Sequence, residues 1–164
     1  MLVGLISDTH DRLPAITAAL RILRERKVGA LIHPGDIIAP FAAKPIREGA
    51  EAMGVPLHVT YGNNDGERAG LKSVLPQIQD GPLHIALDGC RILVHHFVDW
   101  CDPKDIAQAD VVVSGHTHEA AVDRRDGRLF VNPGECCGWV TGRCTIGLLD
   151  TATREVELCD VVLR

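Results

Sequence analysis

Short apolar runs alternate with longer amphipathic stretches through the first half of the chain. Residues 2–6, LVGLI, have the length and content of a buried strand. The stretch that follows, LPAITAALRILRERK, places Leu13, Ile16, Leu20 and Leu23 on one helical stripe, with Pro14 in the first turn and Arg24, Arg26 and Lys27 at the C-terminal end. The alternation recurs as a strand at 30–33, a helical stretch within 41–53, a strand at 56–61 and a helix within 67–79. Strands separated by helices predict βαβ units around a parallel sheet.

The period changes in the second half. HIALDGCRILVHH and AAVDRRDGRLFVN each set an Asp-Gly pair, Asp88-Gly89 and Asp126-Gly127, between alternating runs, which predicts two tight hairpins. RCTIGLLDTATREVELCDVVL predicts a third, turning near 151–153. Together the halves predict an α/β fold in which two mixed sheets pack together with helices outside. The 164 residues fit one domain spanning 1–164, with no internal repeat or low-complexity segment.

Composition narrows the class. With 46% hydrophobic and 24% charged residues the chain reads as an ordinary globular domain. A net charge of −5 gives no basic footprint for nucleic acid or an anionic membrane surface. The opening MLVGLISDTHDR is too short and too acidic for a signal peptide, and no apolar run reaches the ~18 residues of a membrane span. Six cysteines without a Cys-x-x-Cys pair suit reduced thiols in a cytoplasm. The adjacent Cys136 and Cys137 read as two small residues in a Gly-rich turn; a redox role is the alternative.

Each expected core strand ends in polar groups that a core strand would not choose. Asp8 and His10 follow the first, Asp36 the second, and Asn63, Asn64 and Asp65 the third; His95 and His96 follow 92–94, and His116 and His118 follow 111–113. The carboxyl ends of neighbouring strands line one crevice in open α/β sheets, so these residues are expected to converge. Gly35, Gly62 and Gly115 each precede such a group and allow a sharp turn off the strand. Asp8 and Asp36 also suit helix caps, 62–65 suits a turn, and His-x-His suits one strand face. Caps and turns do not explain four histidines. The set Asp8, His10, Asp36, Asn63, His95, His116 and His118 holds no thiolate and suits Mn, Fe, Co, Ni or Zn better than Ca, Mg or Cu(I). Seven ligands are too many for one tetrahedral ion, whereas two ions ~3.5–4 Å apart sharing a carboxylate would use them all.

In this order SDTHD, HPGDI, GNND, LVHH and SGHTH, with NPGE at 132–135, resemble the motifs of the calcineurin-like metallophosphoesterases, most closely the small stand-alone phosphodiesterases of bacteria and archaea. The resemblance implies a four-layer α/β/β/α sandwich of two mixed sheets flanked by helices. It also implies two divalent transition metal ions, Mn foremost, with Ni, Co, Fe or Zn as alternatives. Asp8, His10, Asp36 and His118 would hold one ion; Asp36, Asn63, His95 and His116 would hold the other. His95 is chosen over His96 because it directly follows the strand. A hydroxide bridging the metals would attack a small phosphodiester, with Asp36, Asn63 and His96 as the catalytic residues. Asn64 stands where larger relatives place an acid His, so good leaving groups are expected unless His96 or His33 donates a proton.

Asp65, Asn64 and His33 are expected behind the ligands. Asp11, Phe97 and Glu135 depart from the usual pattern, and Glu135 would repel a phosphate if it pointed inward. Trp100 and Trp139 suit stacking on a ring or capping the core. The main alternative is a non-catalytic interaction module like the retromer subunit of this fold. The HxHxDH run of metallo-β-lactamases is absent. No nucleic-acid or membrane partner is expected, and self-association into a homo-oligomer is left open.

Overall fold

The computed structural model describes residues 1–163. Its elements in chain order are β1 (Leu2–Leu5), α1 (Leu13–Glu25), β2 (Ala30–His33), α2 (Pro40–Met53), β3 (Leu57–Val59), α3 (Arg68–Val74), β4 (Leu83–Leu87), β5 (Cys90–Val94), α4 (Pro103–Gln108), β6 (Val111–Val113), β7 (Ala120–Arg125), β8 (Arg128–Pro133), β9 (Thr145–Asp150) and β10 (Glu155–Asp160). One sheet has the order β10-β9-β1-β2-β3 and the other β4-β5-β6-β8-β7. Strands β1, β2 and β3 run parallel, as do β5, β6 and β8, while β4, β7, β9 and β10 join antiparallel.

The strand alternation sorts side chains into layers. Val3, Leu5 and Ile32 of the first sheet meet Ile92, Val94, Val111, Val113 and Val131 of the second in the core between the sheets. The opposite face of the first sheet packs Leu31 against Ile16 and Leu23 of α1, Ile46 of α2 and Leu71 of α3. Leu93 and Val112 face outward from the second sheet and pack with Ala109, Cys101 and Ile106 under α4. The result is the four-layer α/β/β/α sandwich that the resemblance implies. Strands buried on both faces must be apolar at successive positions, which is why ILV and VVV read as unbroken runs.

The two Asp-Gly hairpins form as expected. Asp88 and Gly89 have φ of 47° and 77°, and Asp126 and Gly127 have 49° and 74°. Two successive positive φ values match the twist of the flanking strands. The helix expected within 67–79 is short, ending at Val74 ahead of Pro76. Helix α4 was not anticipated; six residues carry too little periodicity, and its local mark is the cap, where Asp102 accepts from Lys104 N at 2.8 Å ahead of Pro103. Among the described residues no helix is long and apolar enough to cross a membrane.

Candidate metal centre

The C-terminal ends of β1, β2 and β3 in one sheet and β5 and β6 in the other meet at one crevice. The loops that leave them are bent sharply. Asp8, His10, Asp36, His116 and His118 all have left-handed φ, at 49°, 36°, 60°, 71° and 64°. Such conformations cost on the order of 1–3 kcal/mol each in side chains with a Cβ and persist only where surrounding bonds enforce them. The Asp65 carboxylate supplies much of that enforcement. It accepts from Asp36 N at 2.9 Å, Ile37 N at 2.8 Å, Ile38 N at 2.7 Å and Gly62 N at 2.7 Å, tying the loop after β2 to the loop after β3. The backbone amides of Thr9 and His10 donate to Asp36 O, which joins the loop after β1 to the same frame.

Two glycines are required by closeness. A Cβ on Gly62 would lie 2.1 Å from Asp36 Oδ1, and one on Gly115 would lie 2.2 Å from Ser7 Oγ and 2.7 Å from Asp8 Oδ2.

Within this frame the side chains fall into two sets that share Asp36. In the first, Asp8, His10, Asp36 and His118 bring their donor atoms within 4.8 Å of one another. His10 Nε2 is buried without a hydrogen-bond partner, 3.4 Å from Asp36 Oδ2 and 3.9 Å from Asp8 Oδ1. His118 Nε2 lies 3.6 Å from Asp8 Oδ1. In the second set, His96 Nε2 lies 2.9 Å from Asn63 Oδ1 and 3.4 Å from Asp36 Oδ2, and His116 Nδ1 lies 3.0 Å from Asn63 Oδ1.

The rings are oriented from behind. His96 Nδ1 donates to Pro34 O at 3.1 Å, and His118 Nδ1 donates to Glu135 Oε2 at 2.9 Å. Each proton is thereby fixed on Nδ1, leaving the Nε2 lone pair aimed at oxygen acceptors. Acceptors converging on acceptors repel unless a proton or a cation sits among them. The charges agree: although burial works against both ionised forms, Asp36 is held well below the ordinary carboxylate range by His96 and Asn64, and His96 is raised by Asp36. His10 is raised chiefly by Asp8. Nitrogen and oxygen donors around the buried, unpartnered Nε2 of His10 fit a divalent transition metal, which the first set could hold.

His95 is not part of this arrangement. Its Nδ1 accepts from Phe97 N at 2.9 Å, and its ring packs over Gly81, 2.7 Å from where a Cβ would stand, and 6.4 Å from the Trp100 ring centroid. Strand alternation explains the correction. Val94 faces the core between the sheets, so His95 turns outward and His96 returns to the crevice.

The remaining expected residues brace the site. His33 is fully buried; its Nδ1 accepts from Gly35 N at 3.1 Å and its Nε2 meets Thr9 Oγ1 at 3.2 Å. Burial pushes its pKa down to about 4, so the ring is neutral at pH 7. Asn64 donates from N and Nδ2 to the two oxygens of Asp36, both at 2.8 Å.

Glu135 is the residue whose part the sequence conceals. It is fully buried, with its carboxylate taken up by donors: it accepts from Trp139 N and Val140 N, from Thr141 N and Oγ1, and from Cys137 Sγ, as well as from His118. Burial alone would raise it, but His118 and these donors bring it to about 2. Nothing local in NPGE signals a partner 17 residues away. Cys136 and Cys137 are buried, and burial pushes both thiols up, against thiolate reactivity.

An α/β sandwich with a nitrogen and oxygen donor set at its strand ends defines a class of candidate metal-binding proteins. The profile of the calcineurin-like phosphoesterase superfamily domain matches residues 1–154, and the chain belongs to that metal-dependent family. Phosphodiesterase MJ0936 of Methanocaldococcus jannaschii is 38% identical over 163 residues, covering 94% of this chain and 96% of that protein. The solved structure of an archaeal phosphodiesterase superposes with a TM-score of 0.81 at 35% identity, over 98% of this chain and 99% of that one. The E. coli phosphoesterase YfcE, at 20% identity and a TM-score of 0.74 over 99% of this chain and 100% of its own, shares the fold.

Proposed function

We propose that the protein is a phosphodiesterase working with two divalent metal ions. Asp8, His10, Asp36 and His118 would hold one ion, and Asp36, Asn63, His96 and His116 the other. The observation that carries this reading is Asp36, one buried carboxylate within 3.4 Å of an imidazole nitrogen from each set. The ions would supply a water of lowered pKa, near ~7, and charge neutralisation at the phosphoryl group. The chain supplies position: Glu135 and Pro34 hold the rings of His118 and His96, Asp65 holds the loops, and Gly62 and Gly115 let backbone approach the carboxylates. The donor chemistry suits Mn, Fe, Co, Ni or Zn alike, and the family resemblance puts Mn first. The free thiols suit a reducing compartment such as the cytoplasm.

None of the three expected candidates, Asn64, His33 and His96, is free to protonate a leaving group. Asn64 donates to Asp36 and carries no acid proton, His33 is neutral and faces Thr9, and His96 is committed to Asp36, Asn63 and Pro34. Diesters that depart as stable anions are therefore the expected substrates. Metal content of the purified protein, measured with rates on mono- and diesters with and without Mn, tests the reading. Two equivalents of metal, diesters favoured, and a rate that falls steeply as leaving-group pKa rises are expected. A rate independent of leaving group would overturn the missing-acid account. Two bound equivalents with no ester hydrolysed would favour the interaction module.

A further inference from the structure

The chain has only two tryptophans, and both stand exposed at the rim of the metal crevice, one beside each donor set. Trp100 is 71% exposed. It stacks on Phe97 at 4.3 Å and 15° between planes, and Phe97 in turn lies 4.0 Å from the ring of His116 and 5.1 Å from that of His96. An aromatic ladder thus leads outward from the second donor set. Trp139 is 62% exposed and attached to the first set, with Nε1 donating to His10 O at 3.3 Å. The guanidinium of Arg12 covers one face of Trp139 at 4.4 Å, and the buried Glu135 that orients His118 also accepts from the Trp139 amide.

Neither indole caps the core, and neither is loosely held. Singly exposed apolar side chains are ordinary, so what singles these two out is their place beside the donor sets. The geometry adds a direction. A phosphodiester seated across two ions carries two ester arms, and an indole adjoins each half of the centre. Indoles offer flat faces, and stacking on them tolerates any base because every base has a π-face. The net charge of −5 disfavours a polyanionic nucleic acid as the source of those rings and favours a small molecule.

Resting on the phosphodiesterase reading, we propose that Trp100 and Trp139 are substrate-contacting specificity residues that stack on planar rings of the ester arms. The preferred substrate class is a small nucleotide-type diester rather than an alkyl diester.

Two p-nitrophenyl diesters with one leaving group isolate the effect: the methyl ester and the ester of a nucleoside 5′-phosphate. Wild type is expected to favour the nucleoside ester at least about tenfold in kcat/KM. Alanine at one of Trp100 and Trp139, the indole facing the nucleoside arm, is expected to cut that ratio about fivefold or more, with Phe at the same position restoring most of it. A second readout needs no turnover. Titrating the Zn-reconstituted protein with adenosine 5′-monophosphate should quench tryptophan emission saturably, while ribose 5-phosphate should not. A wild-type ratio near one, or a ratio that both alanine variants keep, overturns the proposal, as does the absence of base-dependent quenching. Quenching without hydrolysis of any ester would leave the stacking standing and sink the phosphodiesterase reading; hydrolysis without preference or quenching would do the reverse.

Discussion

Truncating His96 and truncating its neighbour His95 are expected to have unlike consequences. His96→Ala removes a nitrogen 3.4 Å from Asp36 Oδ2 and leaves Pro34 O without its donor, so it should cost one metal equivalent and at least about 100-fold in activity. His95→Ala removes a ring that packs over Gly81 and should leave metal content at two. Equal metal loss in both would refute the assignment. His33 gives a prediction in pH. Its folded pKa of about 4 lies below the ordinary 6.5, so its contribution to stability is fully present above 6.5. The unfolded chain takes up the proton first as pH falls. Stability therefore declines by up to about 1.4 kcal/mol per pH unit, and the loss is complete near pH 4. Denaturant midpoints measured from pH 7 to 4.5 should fall less steeply in His33→Gln than in wild type; parallel curves would contradict the buried neutral ring.

At the level of elements, the loops after β2 and β3 act as one unit, because Asp65 in the second loop accepts three amides from the first. Gly62→Ala would push a methyl to 2.1 Å from Asp36 Oδ1. The methyl would also lie 2.4 Å from Asp36 N, so the backbone that Asp65 holds must shift together with the carboxylate. Metal affinity is expected to drop at least tenfold by titration calorimetry while the fold remains; unchanged affinity would show that the loop can give way. These loops were legible in the sequence because parallel strands are apolar runs and polar residues at their ends stand out. Asp-Gly pairs announced the hairpins for the same kind of local reason. What stayed hidden is non-local. Which of two adjacent histidines faces the crevice depends on the phase of β5 relative to the core between the sheets, and Glu135 meets His118 only once β8 lies beside β6. Helix α4 is too short to show a period.

For the whole molecule, the centre lies across the seam of the sandwich. Asp8, His10, Asp36 and Asn63 come from loops of the first sheet, whereas His96, His116 and His118 come from loops of the second. Without a cation, their acceptor atoms face one another across that seam, so the metal-free fold carries an electrostatic cost that bound ions would relieve. Binding to the native state alone adds stability with concentration, about 2.7 kcal/mol at 100 times Kd, which for a chain of this size raises Tm by roughly 5–10 °C. Chelation should therefore lower Tm by that amount and re-addition of Mn should restore it. Asp36→Asn weakens the one side chain common to both sets; it should abolish activity, lose at least one metal and shrink the metal-induced shift to a small remainder. A full shift in Asp36→Asn, or the same Tm with and without chelator, would mean that the ions do not join the two sheets.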